Sequence, residues 1–252
     1  MKIAVVGAGA IGGVVGGYLT QAGNDVTLVD IAKDDVEAMQ QAGLTLEIGS
    51  QILTIPVKAI EMEQFAALES EIDLIILAVK GQHTEDALRP ILHRLHPGSA
   101  VLSMQNGLCE RVIASMVGEE RTIGCFVNLF ADYLEPGRIQ YGGQGSLYIG
   151  ELNGEISPRL EQVHRLLQAW GPAQMTDNIW GYLWSKLAYG AVLTATALVD
   201  ETMANVMEPM ENRELMFAVA SETLAVAHRL RITPEAFDDW EPASIYPPGN
   251  RE

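Results

Sequence analysis

The sequence predicts an α/β protein: a doubly wound, mainly parallel sheet followed by an all-helical second domain. Three observations carry that expectation. The first thirty residues run strand, glycine turn, helix, strand. Short apolar runs and helical-period runs then alternate to about residue 175, the pattern of helices covering both faces of a parallel sheet. Beyond that point two long helical stretches take over.

Lys2–Val6 (KIAVV) is short, apolar and β-branched, as a buried parallel strand requires. Gly7, Gly9 and Gly12 follow as G-x-G-x-x-G, and a helix continues over Val14–Ala22. Asp25–Asp30 (DVTLVD) is a second apolar run that ends on an acid. This is the Rossmann-type dinucleotide-binding context. The first glycine allows the tight turn, the second lets backbone approach a pyrophosphate, and the third lets helix and strand pack closely. The phosphates would lie on the helix N-terminus, where free N–H groups and the dipole favour anions. The expected cofactor contacts are therefore Gly7, Gly9, Ala10, Ile11 and Gly12. Asp30 would accept hydrogen bonds from the ribose diol of NAD and repel the 2′-phosphate of NADP. Lys33 stands close enough to pair with such a phosphate, so NAD is favoured and NADP stays open. A secretory signal does not fit the N-terminus, because Asp25 and Asp30 bracket a strand.

Further along, Thr45–Ile60 carries two β-branched runs around Gly49-Ser50 and reads as a hairpin or two short strands. Ile72–Val79 (IDLIILAV) reads as a central parallel strand. Thr84 is a candidate N-cap for a helix reaching about Leu95, closed by Pro97-Gly98. Ala100–Met104 is a strand that stops at Gln105-Asn106-Gly107, and Val112–Met116 is helical. Thr122–Ile149 is strand-rich, with turns at Pro136-Gly137 and Gly142-Gly143. Ser157-Pro158 opens a helix with proline at its first position. Leu160, Val163, Leu166 and Leu167 give that helix an apolar face, and Gly171-Pro172 closes it. Ile179–Val199 is apolar on every side and is expected to be buried. Asn212–Arg229 is a second long helix. The domain boundary is expected within 173–178, giving a dinucleotide-binding domain over 1–175 and a helical substrate or dimerisation domain over 176–252. A cleft between two such domains is where a substrate would bind.

Composition narrows the function classes. A formal net charge of −17 disfavours nucleic acid and anionic lipid, which need clustered lysine and arginine. No apolar stretch reaches the roughly 18 residues that a membrane span needs. Two cysteines and five histidines show no metal-ligand spacing, and the cysteine count suits a reducing, cytoplasmic compartment.

Between Leu166 and Asn212 the chain carries one cation, Lys186, inside its most apolar helix. Snorkelling or an ion pair would account for it. A catalytic lysine also would, because desolvation lowers the pKa of an amine and readies it to give up a proton.

Four elements, collinear over about residues 1–200, resemble ketopantoate reductase (2-dehydropantoate 2-reductase) and its relatives. They are the N-terminal GAGAIGG, Ala78-Val79-Lys80 at a strand end, Gln105-Asn106-Gly107, and Trp184-Ser185-Lys186-Leu187. The resemblance implies reduction of a small 2-oxo acid to a 2-hydroxy acid, a step of pantothenate biosynthesis in the type enzyme. It implies that Lys186 is the general acid, that Asn106 lies at the nicotinamide and substrate end, and that Lys80 lines the cofactor cleft. Two departures follow. Where the family presents asparagines four and eight residues after the lysine, this chain has Gly190 and Thr194, so the substrate wall is roomier and less polar. The family also continues into a helical segment that supplies a serine and a glutamate. This chain stops at Arg251-Glu252, after the Pro-rich EPASIYPPGN, so a C-terminally incomplete sequence is expected. Three functions stay open: a ketopantoate reductase-like enzyme, an NAD-linked 2-hydroxy acid dehydrogenase for an aromatic or branched substrate, and a non-catalytic redox sensor. A homodimer is open as well.

Overall fold

A computed structural model describes residues 1–246. Arg251-Glu252 and the end of the Pro-rich stretch lie outside them. The chain forms two compact units, Met1–Asp177 and a second from Asn178 onward.

The first unit runs β1 (Lys2–Val6), α1 (Ala10–Gln21), β2 (Asp25–Asp30), α2 (Lys33–Ala42), β3 (Leu44–Ile48), β4 (Gln51–Ile55), β5 (Lys58–Glu61), α3 (Met62–Ala66) and β6 (Ile72–Leu77). It continues with α4 (Thr84–Leu88), β7 (Leu95–Ser103), α5 (Glu110–Val117), β8 (Thr122–Val127), β9 (Phe130–Glu135), β10 (Arg138–Gly143), β11 (Leu147–Glu151), α6 (Pro158–Leu167) and β12 (Ala173–Met175). Eight strands form one sheet in the order β12-β11-β8-β7-β6-β1-β2-β5. All its neighbours are parallel except β8 and β11. The chain steps outward from β1 to β2 and β5, then returns to β6 on the other side of β1. The β1/β6 border is thus the switch point at whose carboxyl edge doubly wound sheets bind ligands. A second sheet, β4-β3-β10-β9, covers the outer side of α1.

That arrangement explains why α1 is rich in glycine. A Cβ on Gly16 would come 2.4 Å from Leu28 Cδ2 of the main sheet. One on Gly13 would come 2.4 Å from Ile139 Cδ1 of the second sheet. The helix is squeezed between two layers, and its apolar side chains Val14, Val15 and Leu19 are fully buried.

Several expectations change. Helix α1 begins at Ala10 rather than Val14, directly after the turn. The 45–60 segment does contain a hairpin, β3–β4, but its last strand leaves it and pairs with β2 in the main sheet. The helix from Thr84 stops at Leu88, because Pro90 lies in the turn that follows and cannot continue it. β7 starts at Leu95, so Pro97-Gly98 lies within a strand and ends no helix. Thr84 is not a cap: it is the first residue of α4, and its hydroxyl donates to the Gly81 carbonyl at 2.7 Å. Helix α2 and strand β12 carry no strong sequence signal and were not expected. The α6 start agrees, with Pro158 first and the Ser157 hydroxyl accepting from the Leu160 N–H.

The second unit contains α7 (Ile179–Thr196), the unexpected short α8 (Met203–Met207), and α9 (Met210–Arg229). Its core joins Ala188 and Val192 of α7 to Met216, Ala220 and Leu224 of α9. Helix α7 ends three residues early and is not buried all round, since Lys186 and Leu187 are half-buried and Leu198, beyond its end, is exposed. Among the described residues no helix is long and apolar enough to cross a membrane.

One buried charge holds the loop into β6. The Arg94 guanidinium donates to the Ser70 carbonyl (2.7 Å), the Ser70 hydroxyl (2.9 Å) and the Phe65 carbonyl (2.9 Å), and it lies 4.1 Å from the Phe65 ring centroid. Arg94→Ala removes these bonds and strands two carbonyls, so denaturant melts are expected to show a loss of about 3 kcal/mol. Arg94→Lys recovers less than half of that, because an ammonium cannot reproduce the planar fork.

Candidate functional site

The glycine turn has three different environments. Gly7 has φ +95°, and a Cβ there would lie 2.8 Å from the Val79 backbone nitrogen, so only glycine fits between β1 and the end of β6. A Cβ on Gly12 would lie 2.0 Å from the Gly7 carbonyl oxygen, which locks the helix against the turn. A Cβ on Gly9 would meet no described atom within 4 Å. The outer two glycines are thus consumed by packing, and the middle one faces open space. Helix α1 starts there with no side-chain cap and no acid in its first turn. Its positive end is left for an anion.

Asp30 ends β2 beside this turn. One carboxylate oxygen accepts from the Ala8 N–H at 2.7 Å. The other accepts from the N–H groups of Ile31 (2.8 Å) and Ala32 (3.0 Å). The acid therefore shapes the glycine turn as well as presenting a charge, and its remaining lone pairs can still receive hydroxyl protons. Lys33 points to Glu37 at 3.7 Å. Its neighbours Asp34 and Asp35 bring further negative charge. Tyr133 registers that field: burial first, then the charges of Asp35, Asp30 and Asp34, push its pKa up.

These elements border one cavity of about 750 Å³. Gly7, Gly9, Ala10, Ile11 and Asp30 line one side, and Lys80 and Asn106 line the other. Gly12 does not reach it and acts through packing. Lys80 and Asn106 are exposed at the ends of neighbouring strands β6 and β7. Gln105 ties these ends together. Its buried amide donates to the Val79 carbonyl at 2.7 Å and to the Thr84 hydroxyl at 3.0 Å. Sequence reasoning missed that role, although the Gln-Asn-Gly cluster marked the place. It also missed Met62, His83 and Asp86 in the lining, because nothing in their spacing links α3 or α4 to the turn. Among the described residues no group of three or more His, Cys, Asp or Glu side chains is placed to hold a metal ion.

The other residues of interest lie on α7. Asn178 caps the helix by accepting from the Gly181 N–H at 3.1 Å. Ser185 is fully buried and accepts from the Trp240 indole at 3.0 Å, which fixes the helix rotation next to Lys186. Lys186, Gly190 and Thr194 are spaced by four and share one face. A Cβ on Gly190 would meet no described atom within 4 Å. Thr194 is exposed, but its hydroxyl donates back to the Gly190 carbonyl at 2.8 Å. The face is therefore open, and less polar than its composition suggests. A second cavity, of about 580 Å³, is lined by apolar side chains of this unit and contains none of the predicted residues.

Comparison with known proteins agrees with this geometry. Residues 3–154 match the family model described as ketopantoate reductase PanE/ApbA. The chain is 34% identical over 203 residues to 2-dehydropantoate 2-reductase of Pyrococcus horikoshii, a match covering 80% of this chain and 64% of that protein, just under two thirds of its length. It is 30% identical to the Pyrococcus abyssi 2-dehydropantoate 2-reductase, across 98% of this chain and 79% of the relative. Among solved structures, a D-mandelate dehydrogenase with NADH and anilino(oxo)acetate superposes with a TM-score of 0.85 at 25% identity, covering 93% of this chain and 76% of that one. With a family match over more than half of the chain and a relative 30% identical across nearly all of it, the chain belongs to the ketopantoate reductase family.

Proposed function

We propose that this chain is an NAD(P)-dependent oxidoreductase that reduces a 2-oxo acid to the 2-hydroxy acid, with NAD favoured and Lys186 as general acid. The observation that carries the reading is the open Gly9 position at the uncapped start of α1, with Asp30, Lys80 and Asn106 on the same cavity. A nicotinamide dinucleotide, when bound, supplies the hydride. The α1 N-terminus and the turn amides would hold its pyrophosphate. Asp30 would take the ribose hydroxyls, and Asn106 would hold the carboxamide or substrate end by hydrogen bonding. Lys186 would hold the substrate carboxylate and give its proton to the carbonyl oxygen.

A second reading keeps this chemistry and enlarges the substrate. The empty space at Gly190 and the turned-back Thr194 hydroxyl favour an aromatic or branched 2-oxo acid. The similarity to a D-mandelate dehydrogenase with NADH and anilino(oxo)acetate supports it. A panel of 2-oxo acids assayed with NADH and NADPH tests both readings. No turnover with any acid would point instead to a dinucleotide sensor.

Asp30 and the acids around it are expected to make NADH bind more tightly than NADPH. Charge-assisted hydrogen bonds set against phosphate repulsion give a preference on the order of 2 kcal/mol, roughly thirtyfold, in fluorescence titrations. Tighter NADPH binding would refute this role for Asp30.

Ketopantoate should turn over more slowly than larger or more apolar acids, because a wall without donors does not recognise polar substituents. Gly190→Asn introduces a donor where a side chain has room. It should shift kcat/KM toward hydroxylated acids by about tenfold, the worth of one hydrogen bond. An unchanged substrate ranking would remove Gly190 from the pocket.

Lys186→Ala should leave NADH affinity near the native value while single-turnover reduction falls by about 10² to 10⁴. A thermal melt on the same variant separates catalysis from structure: a large drop in Tm would mark Lys186 as a structural ion-pair partner instead.

A further inference from the structure

The stretch from the end of β7 to the start of α5 holds buried polar atoms that the reaction does not use. Ser103 Oγ, Gln105 Oε1 and both carboxyl oxygens of Glu110 are buried and have no hydrogen-bond partner among the described residues. Glu110 is fully buried. It opens helix α5, and the turn before it, Gln105-Asn106-Gly107, borders the cofactor cavity through Gln105 and Asn106. The front of that turn is held by the Gln105 amide, as described above. Its rear is held weakly, by a Cys109 thiol that donates to the Asn106 carbonyl at 3.7 Å. Directly after Cys109 comes the first residue of α5, Glu110 itself.

We propose that Glu110 is a positioning residue for the cavity: as a neutral carboxylic acid it keeps the Gln105-Asn106-Gly107 turn seated on α5, and its ionisation loosens the turn and weakens dinucleotide binding. The second half rests on the dinucleotide reading given above. An acid in the first turn of a helix ordinarily gains from ionising there, but the gain is small beside the cost of an unpaired buried charge. Burial wins here. It pushes the Glu110 pKa up to about 7, against lesser opposing pulls from its own amide N–H and from the nearby Ser103 hydroxyl, which is not in hydrogen-bonding geometry with it. The elements packed on α5 carry Glu85 and Asp86 on α4, His96 on β7, Cys125 on β8, and Glu119, Glu120 and Arg121 in the turn Glu119–Arg121; Arg111 is on α5 itself. None of these is among the causes of the Glu110 shift, whereas the adjacent Cys109 thiol does register its charge. The folded-state pKa stands above the ordinary 4.5, so the native state binds more protons than the unfolded chain between 4.5 and about 7. Stability therefore falls as pH rises through that window. The strain is relieved most easily at α5's first turn, whose N–H groups have no intrahelical partners. Opening it moves Asn106 off the cavity rim.

Amide hydrogen exchange of residues 104–110 in the ligand-free chain tests the first half directly. Once corrected for intrinsic chemistry, native protection should be greatest near pH 4.5, fall by up to about tenfold per pH unit from there to about pH 7, and level off above. Glu110→Gln, the neutral isostere, should keep its low-pH protection throughout. Ser103→Ala removes the nearby hydroxyl that favours the carboxylate and should move the native transition to higher pH, which keeps the test available if the Gln variant does not fold. Titrations with NADH and NADPH should follow the same pattern, weakening between about pH 5 and 7 in the native chain and staying flat in Glu110→Gln. The proposal is overturned if the native chain shows no transition, or if Glu110→Gln shows the same one. If exchange behaves as expected but neither nucleotide binds near pH 5, the dinucleotide reading falls, and with it the cofactor half of the proposal. If the nucleotides bind while exchange is pH-independent, that reading stands and Glu110 has no positioning role.

Discussion

The contact between Gly12 and the Gly7 carbonyl is the constraint on which the first unit turns. It brings α1 so near the end of β1 that no side chain fits between them. The same closeness is imposed on the other side by the second sheet, through Gly13 and Ile139. A helix held in this way cannot rock or slide, so its N-terminus is fixed at the carboxyl edge of the sheet. Everything proposed for cofactor binding depends on that fixed dipole end and on the open space at Gly9. The glycines thus serve both layers at once: inward for packing, outward for access.

Electrostatics then narrows what the edge can hold. The cavity is anion-receptive at the start of α1 and acidic a few residues away, around Asp30, Asp34 and Asp35. Asp30 belongs to both halves of this pattern, because its oxygens organise the turn amides while the residue itself lines the cavity. Asp35 shows how the second sheet is tied in: it accepts from the Gly137 N–H at 2.6 Å across 102 residues of sequence. Burial raises its pKa, and the Gly137 bond opposes that rise. On the far side of the switch point, the strand ends of β6 and β7 are joined by one buried glutamine, with one buried glutamate just beyond, so the exposed Lys80 and Asn106 stand next to polar groups that water does not reach.

The helical unit follows a different logic. Its helices α7 and α9 pack through a narrow stripe, Ala188 and Val192 against Ala220 and Leu224, while Lys186 and Gly190 on another face are half-buried. The Ser185–Trp240 bond and the ring contacts of Tyr189 with Phe237 and Trp240 set the rotation of α7. A lysine on an apolar helix is ambiguous on its own. Here its face also carries a glycine with empty space above it and a threonine whose hydroxyl is bonded back to the helix.

What the sequence determined by itself was local. The spacing of Gly7, Gly9 and Gly12 with Asp30, the strands β1, β2 and β6, the proline-led α6 and the two long helices α7 and α9 were legible because each depends on neighbours within a few residues or on a single period. The fold class followed from their alternation. The tertiary structure decided whatever depends on distant partners. β5 left its hairpin because the edge of β2 offered pairing, and Pro97-Gly98 entered a strand because β6 lay beside it. Gln105 and Glu110 gained meaning only through burial, and Asp30 took turn amides that no spacing rule assigns to it. Burial and long-range hydrogen bonding are set by how the layers close on one another, and that closure is not written in any single stretch of the chain.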